Sequence, residues 1–238
     1  MRRDRDRLVR TIGILGGMSW ESSAQYYALI NRAVRDRRGG IASAKIVMHS
    51  FNFDEIAARQ RAGEWEALGA QLGDAAAALE RAGADLILVA TNTMHLVAPA
   101  IEAAITVPLL HIADPLGRAL IAQGHTCVGL LATRFTMEQP FYAERLAGQG
   151  VDAVIPPEAQ REELHRIIFA ELCAGEVSDA SRERVRTMIA DLQTRGATAI
   201  ALACTEIMLL IQQQHSALPL FDTTALHCEA AVEFALSD

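Results

Sequence analysis

A chain of 238 residues with a net charge of −7 has the length for one compact domain or two fused lobes, and its acidic balance excludes a general nucleic-acid binder. Hydrophobic residues make up 51% and aromatics only 5%, so the core must come from Ala, Leu, Ile and Val; this suits helices packed on a parallel sheet and excludes disorder. The apolar stretch after Arg10 breaks at Gly16-Gly17, too soon for a signal segment or a membrane span, so the expectation is a cytoplasmic protein with no membrane partner.

In chain order, Arg2, Arg3, Arg5, Arg7 and Arg10 are interleaved with Asp4 and Asp6, the pattern of a solvated, frayed terminus rather than a basic arm. Short apolar runs then alternate with stretches of helical period, the pattern of βαβ units. Strands are predicted at 11–15, 45–49, 86–90, 108–112, 126–131, 152–155, 199–203 and 219–221, with helices such as 21–37, 64–81, 137–149, 161–174, 178–194 and 223–236 between them. Gly83 and Gly196 each sit just past a helix, where a residue tolerant of positive φ turns the chain into the next strand. A linker is expected near Asp114-Pro115, dividing a first lobe of residues 1–113 plus 222–238 from a second of 114–221. The fold class is α/β: two similar lobes, each a four-stranded parallel sheet flanked by helices, with hinge motion expected between them.

The lobes are predicted to be similar because the chain contains itself twice. Arg81-Ala82-Gly83-Ala84-Asp85-Leu86-Ile87-Leu88-Val89-Ala90-Thr91 aligns, 113 positions later, with Thr194-Arg195-Gly196-Ala197-Thr198-Ala199-Ile200-Ala201-Leu202-Ala203-Cys204. Thr11–Leu15 answers to 127–131, Tyr26 to Tyr142, and Val107-Pro108-Leu109 to Leu218-Pro219-Leu220. One polar residue therefore ends the equivalent strand of each half: Thr91 in the first and Cys204 in the second.

In an open parallel sheet ligands bind beyond the carboxyl ends of the strands, and four stations fall there. Gly16-Gly17-Met18-Ser19 follows the first strand and Ala132-Thr133 its counterpart. Gly13-x-x-Gly16-Gly17 could cradle an anion, but it is not G-x-G-x-x-G and no acidic residue ends the second strand to hold a ribose, so a substrate carboxylate is the better-sized anion. Thr91-Asn92-Thr93 clusters three polar side chains after an apolar run, with helix capping expected of one of them and ligand contact of the others. Cys204 heads Cys-Thr-Glu at a strand end and helix start, where unpaired N–H groups favour a thiolate and apolar burial opposes it. Cys127, Cys173 and Cys228 are read as buried small apolar residues, and reduced thiols are expected throughout. Lys45 is the single lysine and looks like a strand edge, which excludes a lysine-linked pyridoxal cofactor. Among seven histidines no pair has ligand spacing; His49 and His111 lie at strand ends and are read as near-core, and no metal is expected.

Three segments together, Gly13-Ile14-Leu15-Gly16-Gly17-Met18-Ser19-Trp20-Glu21-Ser22, Thr91-Asn92-Thr93-Met94-His95 and Cys204-Thr205-Glu206-Ile207, resemble the aspartate/glutamate racemase family within the Asp/Glu/hydantoin racemase superfamily. The resemblance runs over nearly the whole chain from Thr11. It implies cofactor-independent inversion at an amino acid's α-carbon by two opposed acid/base residues, here Thr91 and Cys204. It also implies substrate contacts by Met18, Gln60, Asn92, Thr93, Thr133, Thr205 and Glu206, and a homodimer.

Two departures qualify the resemblance. Most members carry a cysteine where this chain has Thr91, and the threonine–cysteine pairing resembles a subgroup. A hydroxyl donates a proton but is a poor base, so one enantiomer, L by resemblance, should be the efficient substrate. Members that hold a distal carboxylate use an arginine after the second strand and a lysine after the sixth. Here those segments read Ala58-Arg59-Gln60-Arg61 and Gln160-Arg161-Glu162-Glu163, leaving Gln60 as the contact and Arg161 as a substitute for the lysine, or else a broad-specificity racemase. A single-cysteine decarboxylase of the superfamily and a silent amino-acid-binding protein remain the competing readings.

Overall fold

The computed structural model describes residues 9–237, so the basic stretch at Arg2, Arg3, Arg5 and Arg7 lies outside the described residues. The chain divides into two compact units: one runs to His111 and resumes at His227, the other is Ile112–Leu226.

The first unit contains β1 (Thr11–Gly16), α1 (Trp20–Arg38), β2 (Lys45–Ser50), α2 (Phe53–Ala62), α3 (Trp65–Arg81), β3 (Leu86–Val89), a 3-10 turn (Thr93–Val97), α4 (Ala98–Ala104) and β4 (Leu109–Leu110). The strands pair in parallel in the order β2-β1-β3-β4. Central strands of such a sheet are covered on both faces, so their residues are apolar without interruption, and the two-residue period sorts them. Ile12, Ile14, Leu86 and Leu88 point to a core with Tyr26, Ile30 and Val34 of α1. Leu15, Ile87 and Val89 point to the other side, with Leu68, Leu72 and Leu79 of α3. Helix α1 starts where the Ser19 side chain accepts from the Ser22 N–H, and its buried residues recur at Ser22, Tyr26, Ile30 and Val34, one stripe of a 3.6-residue helix. Each fully buried apolar side chain there contributes about 1.5–3 kcal/mol, an upper estimate. Lys45 opens β2, an exposed edge strand.

The second unit repeats the pattern with α5 (Ala113–Ala122), β5 (Cys127–Ala132), α6 (Arg134–Glu138), α7 (Pro140–Ala147), β6 (Asp152–Val154), α8 (Glu158–Arg166), α9 (Asp179–Thr194), β7 (Ala199–Ala203), α10 (Ile207–Leu210), β8 (Leu220–Asp222) and the start of α11 (Thr223–Leu236). Its parallel strands follow the same order, β6-β5-β7-β8. Gly83 and Gly196 both take positive φ, 92° and 97°, the same turn from helix into strand in each unit.

Several expected elements differ. The Asp114-Pro115 linker is instead the first turn of α5, since proline's fixed φ is compatible with a helix start. The helix expected at 137–149 is two, because Pro140 forces Gln139 into an extended conformation (ψ 143°) and cannot donate into a continuing helix. The helix expected at 161–174 begins at Glu158 and degenerates into a π turn, Ile167–Glu171, and a 3-10 turn, Leu172–Ala174. Helices α2, α4 and α5 were not foreseen.

The repeat also shows where the units diverge. Tyr26 and Tyr142 are both fully buried. The Tyr26 hydroxyl lies 2.9 Å from Nδ1 of His227, whose Nε2 lies 2.8 Å from the Leu110 carbonyl. A carbonyl only accepts, so Nε2 carries the proton and the Tyr26 hydroxyl donates to Nδ1. At the spacing that pairs Leu109 with Leu220, the counterpart of His227 is Leu116, and the Tyr142 hydroxyl has no hydrogen-bond partner. Tyr142→Phe is therefore expected to raise stability by about 1 kcal/mol and Tyr26→Phe to lower it by about 1–2 kcal/mol. Denaturant midpoints of the two variants check this opposite pair of signs.

Candidate active site

In the first unit Leu15 pairs with Val89, which sets Gly16-Gly17 beside Ala90-Thr91 past the strand ends. The backbone here is tied from two sides. The Ser22 hydroxyl donates to the Ala90 carbonyl at 3.0 Å, and His95 Nδ1 donates to the Thr91 carbonyl at 2.9 Å. Thr91 is half-buried, while Asn92, Thr93 and His95 are buried. Asn92 stands at the cap of the following 3-10 turn without a side-chain capping bond, so the capping role expected within Thr91-Asn92-Thr93 is not taken by Asn92.

The glycine turn is not the open anion cradle its spacing suggested. Gly17 has φ 84°, and a Cβ there would fall 2.2 Å from the Phe51 carbonyl oxygen. Its N–H already donates to the Ser23 hydroxyl at 2.7 Å. The turn is built for close backbone packing. Met18 is buried in the core of this unit. Gln60 is buried as well, its amide nitrogen 3.0 Å from the Met94 sulfur. His111 is buried against His95, with ring centroids 4.5 Å apart, and His95 also meets His227 at 5.8 Å. His49 is exposed on β2, not near-core, resting on Phe51.

In the second unit Ala132 pairs with Ala203, so Thr133 and Cys204 leave the sheet side by side. Thr133 is buried, its hydroxyl 3.3 Å from that of Thr136. The Cys204 thiol donates to the Glu206 carboxylate at 3.0 Å, and the Thr205 hydroxyl donates to the same oxygen at 2.8 Å. The helix start expected to favour a thiolate is absent: α10 has four residues and begins only at Ile207. Burial pushes the Cys204 thiol well above its usual range, and the Glu206 charge adds to this. The thiol thus holds its proton at neutral pH. Because Glu206 contributes by charge and by accepting the bond, Glu206→Gln is expected to move thiolate formation at Cys204 to lower pH. The pH dependence of iodoacetamide alkylation, resolved by peptide mass spectrometry, measures that shift.

The other cysteines separate. Cys228 is buried and Cys127 is partly buried, but Cys173 is exposed, contrary to its expected place in the core, because it falls in the 3-10 turn that ends the α8 segment. Arg161, considered as a partner for a distal carboxylate, is already engaged by Glu138 at 3.0 Å and by the Pro156 carbonyl at 2.9 Å. Among the described residues no group of three or more His, Cys, Asp or Glu could hold a metal ion, and no helix is long and apolar enough to cross a membrane. Just past its third strand each unit thus presents one polar side chain, the Thr91 hydroxyl in one and the carboxylate-bound Cys204 thiol in the other.

Residues 15–231 match the model of the Asp/Glu/hydantoin racemase family. The chain belongs to this family. It is therefore a racemase-type isomerase, and its paired four-stranded sheets are the family's two-lobed fold. A Yersinia pestis protein provisionally assigned as an Asp/Glu racemase is 46% identical, with a TM-score of 0.91 over 96% of this chain and 100% of that one. An aspartate racemase homologue from Pyrococcus horikoshii OT3 is 34% identical, with a TM-score of 0.84 over 96% and 100%. The broad specificity amino-acid racemase RacX of Bacillus subtilis (strain 168) is 25% identical over 69% of this chain and 70% of that protein. Of the supporting residues, Ser22 and His95 belong to the segments that carry the family resemblance, whereas Ser23 and His227 have no place in any motif. The Ser22-Ser23 pair on the buried stripe of α1 was the one available signal, since buried hydroxyls need partners.

Proposed function

We propose that the protein inverts free amino acids at the α-carbon without a cofactor, using Cys204 and Thr91 as its two proton carriers. The observation that carries this reading is the Cys204 thiol bonded to the Glu206 carboxylate at the end of β7, the strand equivalent to the one that Thr91 follows. A protonated thiol cannot act as a base until its proton leaves, and Glu206 is the acceptor already in contact. Once that proton moves to Glu206, the thiolate removes the α-proton from one face of the substrate. The Thr91 hydroxyl returns a proton on the other face, and the proton held by Glu206 passes through water to restore it, so that Cys204, Glu206 and Thr91 all regain their starting states. The Asn92, Thr93 and Thr205 side chains hold the substrate carboxylate, where charge accumulates in the carbanion-like state, while Met18, Gln60 and Thr133 complete the contacts. The reverse direction needs the threonine as base, so one enantiomer is the faster substrate, and resemblance to the family makes it L. The same reading makes the protein a cytoplasmic homodimer.

Aspartate and glutamate are the first substrates to consider from the family. A broader range of side chains is the second reading, favoured by the engagement of Arg161 with Glu138. In heavy water, without added cofactor, the α-proton of the L enantiomer should be lost faster than that of the D enantiomer across a panel of amino acids. Equal initial rates would remove the asymmetry. Release of carbon dioxide from a substituted malonate, with no amino-acid racemisation, would replace the proposal by a decarboxylase. Binding without turnover would leave a silent binding protein.

A further inference from the structure

The carboxyl edge of the second sheet carries charge that proton transfer does not use. In the order β6-β5-β7, β7 leads to Cys204, β5 to Thr133 and β6 to Pro156. Adjacent strands lie about 4.8 Å apart. A substrate whose α-carbon meets Cys204, and whose side chain runs toward β6, passes Thr133 after one strand step and approaches the residues beyond β6 on the next. Two arginines follow these two strands, Arg134 at the start of α6 after β5 and Arg161 in the first half of α8 after β6, with Glu138 bridging them. Glu138 Oε2 lies 3.6 Å from Arg134 Nε and Oε1 lies 3.0 Å from Arg161 Nε. Arg161 Nη1 also donates to the Pro156 carbonyl. The Arg161 side chain is only 18% exposed, against 45% for Arg134, so Arg161 is the more shielded cation and the one on which a carboxylate would gain most.

We propose that Glu138 competes with a substrate's distal carboxylate for Arg161 and so broadens the side chains the enzyme accepts. This rests on the racemase reading of Cys204. A glutamate-like substrate must displace Glu138, exchanging one carboxylate–guanidinium contact for another and bringing two negative charges together. An uncharged side chain lies along the arginine stems and displaces nothing. Specificity set by such a repulsive element is a difference between substrates, not a gain for either.

The test compares kcat and KM for α-proton exchange of L-glutamate and L-norvaline in wild type, Glu138→Gln, Glu138→Asp and Glu138→Gln/Arg161→Met. In Glu138→Gln the glutamate-to-norvaline ratio of kcat/KM is expected to rise about tenfold, carried by a lower KM for glutamate, as one charge-assisted contact becomes available. The rise should disappear when Arg161→Met is added, and Glu138→Asp should keep the wild-type ratio, which also shows that a shortened side chain at this position folds. A ratio unmoved by Glu138→Gln, or a rise that survives Arg161→Met, overturns the proposal. Wild-type protein that exchanges no amino acid overturns the racemase reading itself, a failure seen before any substitution is made.

Discussion

Replacing Cys204 by serine is expected to slow α-proton exchange of L amino acids by about 10²–10⁴-fold, the range of a positioned acid or base, with the fold retained. The side chain packs against the second unit's core without being part of its fully buried set, and serine differs by one atom. Binding should survive, because the contacts proposed for the substrate carboxylate come from Asn92, Thr93 and Thr205. What changes is basicity: a thiol already held up by burial and by Glu206 still ionises more readily than an alcohol. The companion substitution is Thr91→Cys, which gives the first unit a thiol on the same strand end. Exchange of the slower enantiomer should then rise toward that of the faster one. The two variants are measured in the same heavy-water assay. Cys204→Ser with wild-type exchange, or Thr91→Cys with an unchanged ratio of enantiomers, would mean that proton transfer is carried by other groups.

Lowering the pH from 7.5 to 4.5 is expected to cost about 2–3 kcal/mol of stability through His227 alone. Burial, with a smaller contribution from the charge of His95, holds His227 down to about 3, against the partly opposing bond to the Leu110 carbonyl. An exposed histidine titrates near 6.5. As pH falls through 6.5 the unfolded chain takes up a proton that the folded chain refuses, so stability is full above about 6.5 and declines down to about 3. The imidazole cannot accept a proton without cost, because Nε2 already donates to a carbonyl and Nδ1 accepts from Tyr26. Denaturant midpoints at the two pH values should show this slope in the wild type. They should show a smaller one in Tyr26→Phe/His227→Leu, which gives the first unit the residue type that Leu116 provides in the second. An unchanged slope in the double variant would place the acid sensitivity elsewhere.

Much of the scaffold was legible because it depends on local pattern. Each predicted strand lies within two residues of the observed one at either end, since β-branched and aliphatic runs bounded by glycine and polar residues have few other uses. Pro140 is equally visible in the sequence, and its restriction on Gln139 is the local signal that divides the helix expected at 137–149. The short helices α2, α4 and α5 escaped because, at ten, seven and ten residues, they show too little of a 3.6-residue period to stand out, although α2 does carry an Asn52 N-cap and a left-handed Gly63 end. At the candidate site, the repeat singles out Thr91 and Cys204 as the polar residues that follow equivalent strands. Glu206 is expected from the resemblance as a substrate contact, and the structure adds that its carboxylate accepts the Cys204 thiol and the Thr205 hydroxyl.

The sequence by itself determined two like half-domains, a parallel sheet in each, and an unlike pair, one hydroxyl and one thiol, after equivalent strands. Local periodicity and an internal repeat suffice for that. Only the tertiary structure decided that burial and Glu206 raise the Cys204 thiol, that burial lowers His227, and that Arg161 is held by Glu138. Ionisation and pairing follow from desolvation and from partners remote in the chain, as His227 is from Tyr26 and Leu110. A residue's immediate neighbours in sequence carry little of that information.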